Sequence, residues 1–105
     1  MKFTNHGGVR FNPNLYDSGK VCLSLLGTWR GQASENWNPK TSTISQLFIS
    51  IQSQILTEDP YYNEPGWEKS YGTSAGKLKS KTYNNYIRQF NMQHAMVGVI
   101  EAVVA

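Results

Sequence analysis

The segment from Phe11 to Leu26 constrains this chain most, because it bends twice and then carries the only cysteine, Cys22. Pro13 has no amide hydrogen to donate and holds the residue before it extended, so a fixed turn is expected at residues 12–14. Residues 17–19 predict a second turn, in which Gly19 tolerates a positive φ. Cys22 therefore follows two sharp bends, on a short apolar run that can anchor it.

Asn14 is a polar side chain that these turns can bring close to Cys22. An amide N–H can donate to the oxyanion formed when a cysteine thioester is attacked, and loss of one such donor costs about 100- to 1000-fold in rate. Asn14 is also a residue type that forms turns through its own amide, and both roles can hold together. A lone cysteine is more often a buried structural thiol, whereas a catalytic role predicts a partly exposed Cys22.

Several motifs agree in order and spacing over most of the chain, from about Val9 to the Met96 region. They are Phe-Asn-Pro-Asn-Leu-Tyr and Gly-Lys-Val-Cys-Leu-Ser-Leu-Leu in residues 11–26, Trp37-Asn38-Pro39, the helix-like stretch Ile44 to Leu56, and Asp59 to Pro65. This series resembles the catalytic core of ubiquitin-conjugating enzymes. Asn12, where most members have histidine, and the added length of Gly27 to Asn36 are similar to the large multi-domain members, including one with an inhibitor-of-apoptosis repeat.

The resemblance implies a transferase in which Cys22 receives ubiquitin as a thioester from the ubiquitin-activating enzyme and passes it to a lysine amine of a protein substrate. It implies Asn14 as the oxyanion donor and Glu64 as a carboxylate that orients or deprotonates the lysine. Tyr61 and Tyr62 would line the lysine channel. No cofactor or metal is implied. Alternatively, Glu64 is a solvated carboxylate without a catalytic role, and Tyr61 and Tyr62 are partly buried aromatic residues that line no channel.

Leu26, Trp37 and Pro39 fall near the surface that the family offers to ubiquitin ligases. Bulky exposed apolar groups there would suit a protein partner, although an aromatic side chain is more often part of a core. Asn38 and Lys40 differ from the small residues common in ligase-dependent members, which argues against ligase pairing.

The resemblance implies the α+β class, as the C-terminal two thirds of a ubiquitin-conjugating fold in one partial domain spanning residues 1–105. Residues 1–11 predict a short antiparallel hairpin. Thr43 and Gln46 fit a capping box that opens a central core helix, Ile44 to Leu56, ended by Asp59-Pro60. The family's N-terminal helix and most of its sheet are expected to be missing, so this helix should show an apolar face with too little to cover it.

In the second half of the chain, helix is expected at both ends and a mobile loop between them. Trp67 to Tyr71 predicts one helical turn, and Gly72 to Ser80 predicts a mobile loop that could link two halves. From Lys81 onward, apolar residues at helical spacing predict a long C-terminal helix.

Size and charge narrow the function classes. A chain of 105 residues and 11.9 kDa suits one small domain, and a net charge of +3 is too low for a dedicated nucleic-acid patch. One cysteine excludes an internal disulfide, which makes the cytoplasm the default location and the nucleus the next. The sequence contains no run of about 18 apolar residues, the length that a membrane-spanning helix needs. His6 and His94, with one cysteine, make a zinc site improbable.

Two further functions stay open. The chain could be a catalytically silent ubiquitin-conjugating remnant that binds ubiquitin or a ligase, since the activating enzyme usually docks on the helix expected to be missing. A weaker alternative is a single-stranded nucleic-acid platform, based on the basic balance with six tyrosines and three tryptophans.

Overall fold

The computed structural model of the chain describes residues 8–29 and 31–104. Extended pairing within these ranges consists of two isolated antiparallel bridges, Asn12 with Leu15 and Leu15 with Val21. Helix accounts for most of the remaining structure, which confirms the predicted fold class. The hairpin expected at residues 1–11 falls mainly on residues outside the described ranges.

The central helix begins where its capping box predicts. Thr43 Oγ1 accepts from the Gln46 amide at 3.2 Å, and Gln46 Oε1 accepts from the Thr43 amide at 3.0 Å. Helix α1 spans Ile44–Ser50 and continues as a π-helical segment, Ile51–Ile55. A 3-10 helix, Pro60–Asn63, follows after a short break, so the predicted end before Pro60 is confirmed.

The C-terminal half is more helical than expected. A 3-10 helix spans Trp67–Ser70, α2 spans Ser74–Phe90, a π-helical segment spans Asn91–Val97 and α3 spans Gly98–Val104. The predicted mobile loop at Gly72 to Ser80 is therefore wrong. Thr73 Oγ1 accepts from the Gly76 amide at 3.0 Å and caps α2, and Ser80 Oγ donates to Asp59 Oδ1 at 2.6 Å.

A small apolar core joins the cysteine segment to the central helix. Its buried members are Val21, Leu23, Leu47 and Ile55, with Leu15, Leu25, Leu26 and Ile51 packed partly buried against them. The opposite face of the central helix is poorly covered, as predicted: Ile44, Phe48 and Leu56 are 61%, 55% and 61% exposed. The central helix is therefore a core helix on one face only.

Aromatic rings attach α2 to the two 3-10 helices that precede it. The Tyr61 ring stacks on Trp67 with centroids 4.5 Å apart and meets Tyr83 of α2 edge-on at 6.0 Å. Tyr62 and Tyr71 form a further edge-on pair at 5.1 Å. Burial raises the pKa of Tyr83 to about 12. The cluster thus fixes residues 60–70, which carry Glu64, against a long helix.

Residues 24–40 hold short helical turns around irregular backbone. The 3-10 helix Ser24–Leu26 ends at Gly27, whose φ of 66° is left-handed, and a second one spans Ala33–Glu35. Apart from these turns, residues 27–40 are irregular wherever the structure describes them. Across the described chain, no helix is long and apolar enough to cross a membrane.

Candidate active site

Asn14 and Cys22 are joined by two hydrogen bonds, one from each residue. The Cys22 amide donates to the Asn14 carbonyl at 2.8 Å, and Asn14 Nδ2 donates back to the Cys22 carbonyl at 2.9 Å. The two predicted turns therefore bring together residues eight positions apart in the chain. In this geometry the Asn14 amide binds backbone, which is the turn-forming role that the sequence left open.

Asn12 fixes this loop to the central helix. Its side chain is buried, with Nδ2 donating to the Ile55 carbonyl at 2.8 Å and Oδ1 accepting from the Asn14 amide at 2.9 Å. Both polar ends of the side chain are satisfied without water. Asn12 therefore ties the turn at residues 12–14 to the end of the central helix.

Asn63 supports Asn14 from the other side, and sequence reasoning missed it. Its Nδ2 donates to Asn14 Oδ1 at 3.2 Å and to the Gln54 carbonyl at 2.9 Å. Because Asn14 Oδ1 accepts this bond, the Asn14 nitrogen is turned toward Cys22. The one sequence signal was its position beside Glu64, a residue already proposed for the site.

Cys22 is buried, at 3% exposure, so the prediction of a partly exposed thiol is wrong. The apolar run that anchors it places Val21 and Leu23 in the core on either side. Tyr16 lies beside it, because the backbone pairs residues 14–16 with residues 20–22. Burial, and next the proximity of Cys22, raise the pKa of Tyr16.

Through its guanidinium, Arg10 contacts Tyr16, Pro13 and Glu64. Its guanidinium lies 4.3 Å from the centre of the Tyr16 ring, and its Nη2 donates to the Pro13 carbonyl at 2.7 Å and to Glu64 Oε2 at 3.1 Å. Glu64 is thus an ion-paired carboxylate rather than a merely solvated one. Arg10 carried no sequence signal, because its partner lies 54 positions away.

Comparison with known proteins identifies the family of this chain. The sequence pattern described as "Ubiquitin-conjugating enzyme" matches residues 1–91. The chain belongs to the ubiquitin-conjugating enzyme family. The resemblance stated from the motifs is therefore confirmed.

Three relatives illustrate the family. Over 96% of this chain, it is 56% identical to the probable ubiquitin-conjugating enzyme E2 R521 of Acanthamoeba polyphaga mimivirus. It is 50% identical over 95% of its length to the human dual E2 ubiquitin-conjugating enzyme/E3 ubiquitin-protein ligase BIRC6, and 56% identical over 83% to the putative ubiquitin-conjugating enzyme E2 39 of Arabidopsis thaliana. The chain spans 7%, 2% and 28% of these three proteins, respectively.

The three residues predicted for ligase contact have different exposures in this ubiquitin-conjugating domain. Trp37 is 39% exposed and Pro39 is exposed, whereas Leu26 packs half-buried against the core. Leu26 is therefore partly used by the fold, and ligase contact at this surface stays a prediction.

Tyr61 and Tyr62 are members of the aromatic cluster, in which Tyr61 is buried and Tyr62 is half-buried. A role in lining a lysine channel stays a prediction. Within the described residues, no group of His, Cys, Asp and Glu is arranged to hold a metal ion. His6 lies outside those residues.

Proposed function

We propose that the chain carries ubiquitin as a thioester on Cys22 and transfers it to a lysine amine. The observation that supports this most is the reciprocal pairing of Asn14 with Cys22. It holds a side-chain amide nitrogen 2.9 Å from the carbonyl oxygen of the residue that bears the thiol. Family membership supplies the reaction class, and this pairing holds an amide donor on the backbone of the residue that carries the thiol.

The chemistry needs only protein groups. The Cys22 thiolate attacks the thioester carbonyl at the C-terminus of ubiquitin and displaces the thiolate of the activating enzyme. A lysine amine then attacks the new thioester, giving a tetrahedral oxyanion. Expulsion of the Cys22 thiolate and loss of a proton from nitrogen leave an isopeptide bond.

Asn14 and Glu64 have separate proposed roles in the second step. Asn14 Nδ2 carries two hydrogens, of which the Cys22 carbonyl accepts one, and the second is the one proposed to donate to the oxyanion. Once the Glu64 carboxylate separates from Arg10, it would orient the substrate lysine or accept a proton from the lysine amine.

The test is thioester formation with ubiquitin, activating enzyme and ATP, followed on non-reducing gels. We expect an adduct that thiol reductant removes and that Cys22→Ala abolishes. Asn14→Asp keeps the side-chain shape but removes both the proposed donor and the bond to the Cys22 carbonyl. Provided that circular dichroism shows the variant to be folded and that it charges, it should discharge to free lysine about 100-fold more slowly. A folded wild-type chain that never charges would refute the proposal.

The burial of Cys22 favours a second candidate, a silent domain that binds ubiquitin or a ligase without transfer. Titration of labelled ubiquitin without ATP separates the two candidates, because a binding module would bind in that mixture and form no thioester in the charging assay. Cys22→Ala would leave such binding intact.

The partners and location follow as proposals from the same family assignment. We expect ubiquitin and the ubiquitin-activating enzyme as partners, in the cytoplasm or nucleus. Asn38 and Lys40 argue against a ligase, and any ligase contact is proposed at Leu26, Trp37 and Pro39. Nucleic acids and membranes are not expected partners. Binding of labelled oligonucleotides at low salt would contradict this expectation.

A further inference from the structure

Three contacts link the cysteine segment to Glu64. The backbone pairs residues 14–16 with residues 20–22, which places Tyr16 beside Cys22. The Arg10 guanidinium lies on the Tyr16 ring at 4.3 Å, and Arg10 is ion-paired with Glu64 at 3.1 Å. We call Arg10, Tyr16 and Glu64 the latch. Arg10 and Tyr16 belong to residues 10–16, and Glu64 directly follows the 3-10 helix Pro60–Asn63.

The two ends of the latch differ in strength. Arg10 is also held by the Pro13 carbonyl at 2.7 Å, which fixes it to the turn that carries Asn14. The ion pair with Glu64 is partly solvated, since the two side chains are 40% and 27% exposed. Exposed ion pairs are weak and are screened by salt. The contact that spans the two segments is therefore the one that opens most readily.

We propose that Arg10 is a positioning residue that holds Tyr16 over the thiol of Cys22, so that opening of the Arg10 to Glu64 ion pair gives reagents and acyl donors access to the sulfur. Closed, the latch explains how a cysteine in an active-site motif is 3% exposed. Open, it frees Glu64 as well. Opening of this one ion pair thus exposes the Cys22 thiol and frees the Glu64 carboxylate.

The single cysteine makes access directly measurable. Iodoacetamide is neutral and can modify one thiol in this chain, so mass spectrometry at about pH 8 gives one rate constant. Dividing it by the rate for the urea-unfolded chain at the same salt removes the intrinsic reactivity of the thiol. This ratio reports how often Cys22 is open.

We expect Arg10→Ala to raise the normalised rate about 3- to 10-fold, because it removes both the ion pair and the cation–π contact. Glu64→Gln removes the ion pair alone and should raise the rate about 2- to 4-fold. Added NaCl should accelerate the wild type and leave Arg10→Ala unchanged, a response that a merely structural role of Arg10 would not produce.

Lys20→Ala is the matched control, because it removes a positive charge two positions from Cys22. No side-chain contact joins Lys20 to the latch among the described residues, so its rate should stay the same or fall as the positive charge is lost. An increase equal to that of Arg10→Ala would assign the effect to charge in general and overturn the latch.

Unchanged rates in natively folded Arg10→Ala and Glu64→Gln would also overturn the proposal. If Arg10→Ala fails to fold by circular dichroism, the salt series on the wild type decides, and a flat series refutes the latch. The experiment uses no ubiquitin, so its failure is distinguishable from a failure of the transferase proposal.

Discussion

Replacement of Asn12 by alanine tests whether this one side chain fixes the cysteine loop to the central helix. The substitution removes the donor to the Ile55 carbonyl at 2.8 Å and the acceptor of the Asn14 amide at 2.9 Å. Asn12 itself is 4% exposed, so water has little access to the groups left behind. Two buried polar groups would therefore lose their partners at once.

The expected loss of stability follows from those two bonds. A buried donor or acceptor left unsatisfied costs about 1 to 3 kcal/mol. For the pair we expect about 2 to 4 kcal/mol, a large share of the roughly 5 to 15 kcal/mol that stabilises a typical domain. Asn12→His should lose less, because a neutral imidazole keeps one donor and one acceptor.

Urea unfolding followed by circular dichroism measures the change. With a slope of about 1 to 3 kcal/mol per molar urea, Asn12→Ala should lower the midpoint by roughly 1 M or more. Asn36→Ala is the control, since Asn36 is exposed and its side chain has no recorded hydrogen bond within the described residues. A loss below about 0.5 kcal/mol for Asn12→Ala would refute the argument that these bonds hold the loop.

Three other outcomes follow from the second half of the chain. Gly76→Ala should destabilise the protein by about 1 to 3 kcal/mol, because its Cβ would collide with the Ser70 carbonyl; an unchanged melting temperature would contradict this. Ser80→Ala should lower the free energy of unfolding by about 1 to 2 kcal/mol, because it removes the 2.6 Å hydrogen bond to Asp59. An unchanged melting temperature would show that this bond does not contribute to stability. Because burial raises the pKa of Tyr83 to about 12, above its ordinary 10, its contribution to stability is complete below pH 10 and is lost as the pH rises toward 12. Absorbance titration at the tyrosinate band should lose its most alkaline step in Tyr83→Phe, and persistence of that step would assign it elsewhere.

Local patterns predicted the elements whose causes are local. The capping box at Thr43 and Gln46 marks the start of α1 correctly, since both bonds form within four residues. The segment 72–80 was misjudged because small residues and lysines suggest a loop. Its helical state depends on Thr73 as a cap and on Ser80 meeting Asp59, a residue 21 positions earlier.

The site divides in the same way. Nearness of Asn14 to Cys22 follows from two turns in one short segment, and the sequence suffices to predict it. Burial of the thiol does not follow from that segment alone, because the side chains around it are also fixed by distant contacts such as the ion pair of Arg10 with Glu64.

The sequence by itself determined the family, the two turns, the cysteine and the start of the central helix, because each depends on residue type and short spacing. Only the tertiary structure decided that Cys22 is covered, that Asn63 supports Asn14 and that Glu64 is paired with Arg10. The last two contacts join residues 49 and 54 positions apart. No short-range pattern encodes such distances, since they are set by how the segments pack.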